Sequence, residues 1–213
     1  MINVFYTEFN SPLTDVLWND YLACLPYNLQ EKVLKYRKWQ DRQANLFGKL
    51  LLIKGLKYYG YGNQELEQIQ YNDYGKPYLD INLKFNISHS GKFVICSISD
   101  LYDSGIDIEE IIDLQIADFK NSFSASEWME IIESESSINK FYEFWTIKEA
   151  VAKAEGKGLS LPLADLVLKN SSVKVFEKTW HILKINLDPG YSASIATDTP
   201  LLSSGLKLTK VIF

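Results

Sequence analysis

Cysteine and histidine are scarce here: the chain of 213 residues has two of each. Cys24 and Cys96 cannot build a disulfide framework or a zinc cluster, which fits a reducing compartment. No stretch of eighteen or more apolar residues occurs, so no transmembrane helix is expected. Met1 to Asn10 lack the basic start and apolar stretch of a signal peptide. Positive charge is also in short supply. A net charge of −5 argues against wholesale nucleic-acid binding. The expectation is a cytoplasmic protein with reduced thiols and neither a membrane nor a nucleic acid as partner.

Hydrophobic residues make up 46% of the chain and aromatic residues 14%, enough for one large domain or two small ones. Charge is unevenly divided. Residues 1–100 carry 11 Lys/Arg against 10 Asp/Glu, and residues 101–213 carry 11 against 17. The first half offers cations to a small polyanion and the second offers carboxylates to a cation, although ordinary surface charge would produce the same imbalance.

Ile2 to Tyr6 reads as a strand. Ser11-Pro12 resembles an N-cap and first helical residue. Asn28 is placed to cap a second stretch, whose apolar spacing continues to Tyr59 with a bend near Trp39. Tyr74-Gly75-Lys76-Pro77 is a turn. Phe85 to Ser88 and Phe93 to Ser99 read as strands linked through His89-Ser90-Gly91-Lys92, and Gly105 to Glu109 as a further strand. Ser126 is placed to cap a helix, and a long helix runs from Asn139 to a stop at Gly156. The tail alternates as hairpin strands, with a last strand from Leu206 to Phe213. Each half runs strand, helices, then meander. The fold class expected is α+β, two similar α/β halves around a cleft, divided as 1–103 and 104–213.

Four segments carry the chemistry. In Gly105-Ile106-Asp107-Ile108-Glu109, strand alternation puts both carboxylates on one face, with Cα atoms roughly 7 Å apart. Such carboxylates repel and raise each other's pKa unless a cation lies between them, and an all-oxygen donor set suits Mg²⁺ or Mn²⁺. A solvated acidic edge strand gives the same pattern. In Trp145-Thr146-Ile147-Lys148-Glu149-Ala150-Val151-Ala152-Lys153, Glu149 and Lys153 are i,i+4 neighbours: either a surface pair, or a third ligand beside a lysine that steadies phosphate charge. His89 sits among small polar residues that suit a phosphate, or else in a plain exposed turn. Lys32 and Lys35 share a helix face, as on many solvated helices. His181 reads as structural.

Together these segments resemble the 4′-phosphopantetheinyl transferases of the larger, surfactin-synthetase-activating class. Gly105–Glu109 and Trp145–Lys153 match the signature strand and helix in order and spacing. Asn86-Ile87-Ser88-His89-Ser90, Tyr74-Gly75-Lys76-Pro77 and Gly156-Lys157-Gly158-Leu159 match three further blocks. The resemblance is strongest over 70–165. It implies transfer of the phosphopantetheine arm of coenzyme A to a carrier-protein serine, in nonribosomal peptide, polyketide, antibiotic or fatty-acid synthesis. It implies a metal on Asp107, Glu109 and Glu149, catalysis by Asp107, Glu149 and Lys153, and phosphate contacts from Lys76, Ser88, His89 and Lys153. Lys32, with Lys35 beside it, falls near the 3′-phosphate, whereas Leu29 and Ala44 stand where many relatives carry basic residues. A monomer is implied, with the carrier docking near Leu114, Ile116 and Phe119. The alternatives are another Mg²⁺-dependent enzyme acting on a nucleotide pyrophosphate, or a non-catalytic coenzyme A-binding module.

Overall fold

A computed structural model describes every residue except Leu159, so the last position of the block starting at Gly156 lies outside the described residues. The chain opens with β1 (Ile2–Glu8), α1 (Asp15–Leu22), α2 (Tyr27–Leu34) and α3 (Trp39–Tyr58). A short hairpin follows, β2 (Gln70–Tyr71) and β3 (Pro77–Tyr78), then β4 (Lys84–Ser90) and β5 (Phe93–Ser99). The second half contains β6 (Ser104–Glu110), α4 (Ala125–Glu133), α5 (Ser137–Glu155), β7 (Leu168–Lys169), β8 (Ser172–Val175), β9 (Lys178–Lys184), β10 (Tyr191–Thr197) and β11 (Leu206–Lys210). No helix among the described residues is long and apolar enough to cross a membrane.

The fold is α+β, and its sheets repeat one plan. In the first sheet the order is β11-β1-β5-β4, and in the second β6-β10-β9-β8-β7. Each half starts on one strand (β1 or β6), adds helices, and returns as an antiparallel hairpin whose second strand (β5 or β10) slots in beside the first. The strand, helices, then meander order expected of each half thus has a structural counterpart. β11 departs from the plan. It pairs in parallel with β1, Ile2 opposite Leu206, and returns the C-terminal residues to the first sheet.

β5 is buried along its whole length, because its two faces serve two cores. Val94, Cys96 and Ile98 pack under α3 with Leu46, Leu51 and Leu56. Phe93 and Ile95 turn the other way, to Ile2 and Val4 of β1 and to Ile106, Ile108 and Ile195 of the second sheet. A third core lies under α5, and an aromatic cluster of Phe123, Phe141, Tyr142 and Phe144 joins α4 to α5.

Several expected boundaries move. Thr14, not Ser11, caps α1, its side chain accepting from the Leu17 amide. Pro26 occupies the N-cap of α2, displacing Asn28. The long helical stretch is two helices parted at 35–38, where the bend near Trp39 was expected. Ser124 rather than Ser126 caps α4, because its partner Glu127 stands three residues on and completes a reciprocal capping box. His89 and Ser90 belong to β4, leaving Gly91-Lys92 alone as the turn, with Gly91 at positive φ. The stop at Gly156 is as expected: its φ of 76° is the left-handed cap open to glycine.

Candidate active site

The site is built where the edge strand of one sheet meets the edge strand of the other. β6 bonds to β10 on one side only, so amides on its other side need partners. β4 supplies them through alternate side chains. Asn86 Oδ1 accepts from the Ile106 amide at 3.0 Å, and Ser90 Oγ from the Glu110 amide at 3.1 Å. Between them Ser88 Oγ donates to Asp107 Oδ1 at 2.9 Å, and Ser90 Oγ donates to Glu109 Oε2 at 2.7 Å. The segment Asn86-Ile87-Ser88-His89-Ser90 is therefore a seam. Asn86, Ser88 and Ser90 hold β6, while Ile87 and His89 face a cavity beside α3.

Gly105 brings α5 onto β6. A Cβ at this position would overlap the carbonyl oxygen of Ala150 and the amide nitrogen of Ala154. The close approach at this glycine is to helix backbone, and it lays Glu149 and Lys153 over the carboxylate strand. Lys153 Nζ donates to Asp107 Oδ1 at 2.6 Å and to Ser88 Oγ at 2.8 Å.

Asp107 is 2% exposed, and its Oδ2 is buried without a hydrogen-bond partner. An orphaned carboxylate oxygen at this depth is expensive unless something absent supplies the missing contact. Burial, then the Asp107 charge, pushes Glu109 up to about 7, with Glu149 adding to it. The same two causes, in the same order, raise Glu149. The three carboxylates thus feel one another. They do not already converge: no three acidic, His or Cys side chains among the described residues form a ready-made metal centre. Lys153 supplies the countercharge in their midst. An orphaned oxygen, two carboxyls whose pKa values are raised by burial and by the Asp107 charge, and only oxygen donors fit a hard divalent cation.

The expected phosphate ligands divide. Lys153 and Ser88 stand at the carboxylates. His89 faces the neighbouring cavity with Lys32 and Lys35. Its edge is open to solvent, but the cleft walls strip enough water to lower its pKa, and Lys153 and Lys49 lower it further. Lys76 ties the halves together: its Nζ donates to the Ala154 carbonyl at 2.8 Å while Asn72 donates to that of Gly156. These are carbonyls that the end of α5 leaves unpaired. Lys148, inside the signature helix, turns away from the site and is wholly buried. It meets Glu127 at 2.9 Å and donates to the Leu163 and Leu166 carbonyls. His181 lies in β9, opposite Ser172 and Thr197.

Leu114, Ile116 and Phe119 are half-buried, packed on the aromatic cluster, with the Phe119 ring 5.4 Å from that of Trp145. Ile112 just before them is exposed. The sequence reading missed Lys49, half-buried beside Lys32 and Lys35. A signal existed: it is the one charged residue in the run Ala44 to Ile53 of a buried helix.

Residues 104–196 match the family described as the 4′-phosphopantetheinyl transferase superfamily, and residues 11–100 that described as 4′-phosphopantetheinyl transferase, N-terminal. Among curated relatives, 4′-phosphopantetheinyl transferase gsp of Aneurinibacillus migulanus is 31% identical over 84% of this chain and 76% of its own. The Sfp enzyme of Bacillus subtilis (strain 168), also named a 4′-phosphopantetheinyl transferase, is 27% identical over 93% of both chains. A putative 4′-phosphopantetheinyl transferase of Haemophilus influenzae is 32% identical over 72% of this chain and 68% of its own.

Proposed function

From the premise that this chain belongs to the 4′-phosphopantetheinyl transferase superfamily, we propose that it moves the phosphopantetheine arm of coenzyme A onto a serine of an apo carrier protein, at the seam between β4, β6 and α5. The observation that carries the reading is Asp107: a buried carboxylate with one oxygen bonded and the other orphaned, beside two carboxyls, Glu109 and Glu149, whose pKa values are raised. Asp107, Glu109 and Glu149 would hold Mg²⁺ or Mn²⁺. The bound ion would draw charge from the pyrophosphate and favour departure of the nucleotide.

The carrier serine oxygen forms a bond to the pantetheine-side phosphorus. The bond from that phosphorus to the bridging oxygen breaks, and adenosine 3′,5′-bisphosphate departs. The serine proton goes to a carboxylate, and Glu149 is assigned as that base: its raised pKa brings it toward the working pH. Lys153 Nζ carries a positive charge beside Asp107 and is assigned to the developing charge on the phosphate. Ser88 orients both Asp107 and Lys153. Lys76, released from the Ala154 carbonyl or bridging to it, is assigned with His89, Lys32 and Lys35 to the phosphates.

The division of labour follows 1–103 and 104–213, with nucleotide contacts from the first and carboxylates from the second. We assign one chain to one site, since β4 and β6 meet within it. The carrier is proposed to dock beside Leu114, Ile116 and Phe119. Ile112 offers apolar surface there, and Ile112→Asp should raise KM for the carrier without changing coenzyme A affinity.

The deciding experiment is mass spectrometry of an apo carrier protein after incubation with the enzyme, coenzyme A and Mg²⁺. A mass increment equal to the phosphopantetheine arm on the carrier serine is expected. An unmodified carrier, with coenzyme A consumed or untouched, would overturn the reading.

A further inference from the structure

Asp107 and Glu109 are each fixed by a hydrogen bond from β4, through Ser88 and Ser90. Among the described residues Glu149 enters no ion pair, so the place of its carboxyl is decided by how α5 lies on the sheet. Ile147, Ala150, Val151 and Ala154 hold α5 there by apolar burial. Burial of that kind is not directional, and by itself it lets a helix pivot or slide. Gly105 gives one fixed point, beneath Ala150 and Ala154. Lys148 ties α5 to Glu127 of α4 and to the Leu163 and Leu166 carbonyls, not to the carboxylate strand.

A second fixed point lies one turn before the first. Thr146 of α5 and Ser194 of β10 are buried, with Ser192 half-buried beside them. The Thr146 hydroxyl oxygen stands 3.1 Å from that of Ser192 and 3.2 Å from that of Ser194. Counting protons gives each bond its direction. Thr146 donates to the Glu143 carbonyl at 3.2 Å, and a hydroxyl has a single proton to give. Both serines therefore donate to Thr146 and fill its two lone pairs. A slide or rotation of α5 would strand these hydroxyls out of water, a penalty that apolar contacts do not impose.

Strand register carries this contact to the reacting groups. On β10, Ser194 lies opposite Asp107 and Ser192 opposite Glu109. Directly opposed residues share a face of the sheet, so the serines stand beside the two carboxylates. On the helix, Thr146 and Glu149 are i,i+3 neighbours. Glu149 thus falls between the hydroxyl contact and the Gly105 contact.

We propose that Thr146, with Ser192 and Ser194, is a key that fixes α5 on β10 and thereby aims Glu149, which makes Thr146 a positioning residue for the transfer. The inference rests on the transferase reading given above. A wholly apolar interface would hold the helix about as firmly, because hydroxyls contribute little net stability once all their partners are removed with them. What the hydroxyls add is a single register. Register matters to chemistry, since a displacement of about 1 Å at a reacting group lowers a rate by about 100-fold.

The test compares the wild type with Thr146→Val, Thr146→Ser and the triple variant Thr146→Val/Ser192→Ala/Ser194→Ala. Carrier loading, urea titration and calorimetry of Mn²⁺ binding without substrates are measured on each. Thr146→Val strands two serine hydroxyls, so the urea midpoint should fall. Its kcat should drop about tenfold or more, while KM for coenzyme A moves by less than about twofold. Thr146→Ser keeps the hydroxyl and should keep kcat within about threefold. The triple variant separates positioning from packing. With no hydroxyl left to satisfy, its urea midpoint should return toward wild type, yet kcat should stay about tenfold down. Mn²⁺ affinity should be about tenfold weaker in Thr146→Val and the triple variant alike. Recovery of kcat and Mn²⁺ affinity together with stability in the triple variant would reduce the hydroxyls to packing and overturn the proposal, as would wild-type kcat in Thr146→Val. If Thr146→Val does not fold, the triple variant and Thr146→Ser decide. A wild type that loads no carrier overturns the proposed function itself. A wild type that loads carrier, with kcat indifferent to these hydroxyls, overturns this inference alone.

Discussion

Lys153 of α5 reaches Asp107 of β6 at 2.6 Å, so the single oxygen of Asp107 that accepts hydrogen bonds is held by a lysine and by Ser88 together, and the other is held by nothing. One carboxylate is thus anchored on one side and unpaired on the other, which is the ground for assigning it to a metal. Asp107→Asn and Glu149→Gln should each leave a folded protein whose carrier loading falls by about two orders of magnitude or more. Circular dichroism checks the fold and a carrier-loading assay the rate. Near wild-type loading by either variant would remove the metal assignment.

Gly105→Ala should be far worse than its size suggests. Its methyl group would meet α5 backbone rather than a flexible side-chain end. Overpacking of this kind costs about 1–3 kcal/mol, and sometimes more where backbone must move. Because the displaced helix carries Glu149 and Lys153, kcat should fall along with the urea midpoint. Unchanged stability would show that α5 does not sit on β6 as described.

Lys148→Met should unfold or badly loosen the second half rather than alter chemistry. Lys148 and Glu127 are almost fully buried, and Glu127 also caps α4 and accepts from the Leu168 amide. Removing one partner strands a buried charge, at a cost of about 3–5 kcal/mol. Replacing both, as Lys148→Met with Glu127→Gln, should recover part of that loss. Denaturant titration of the three proteins measures it, and a single variant as stable as wild type would contradict the buried pair.

The metal requirement should depend on pH in a definite direction. Glu109 is raised to about 7, so the free folded protein holds a proton there that the unfolded chain releases at lower pH. Between the two pKa values the native state binds more protons, and metal-free stability should fall as pH rises from about 4.5 to about 7. A cation needs the carboxylate ionised. The Mg²⁺ concentration for half-maximal loading should therefore drop as pH climbs through 7, with protons released on binding. A half-maximal Mg²⁺ concentration that stays flat across this range would show that Glu109 takes no part in metal binding.

What the sequence determined by itself is local. Alternation in Gly105–Glu109 put Asp107 and Glu109 on one face, the i,i+4 spacing aligned Glu149 with Lys153, and Gly156 ended α5, because each depends on a few consecutive backbone angles. Strand–helix–hairpin order was legible in both halves for the same reason. Tertiary structure decided the partners. Lys76, Lys148 and Lys49 look alike as residues in a string, yet one closes the end of α5, one is buried against Glu127, and one faces a cavity with two other cations. Which fate a lysine meets depends on what packs against it from 15 or more residues away, and no periodicity records that. The last strand shows the same limit: the strand expected from Leu206 to Phe213 forms over Leu206–Lys210 and stops short of the last three residues, and only the unpaired edge of β1 made it parallel and returned it to the first sheet.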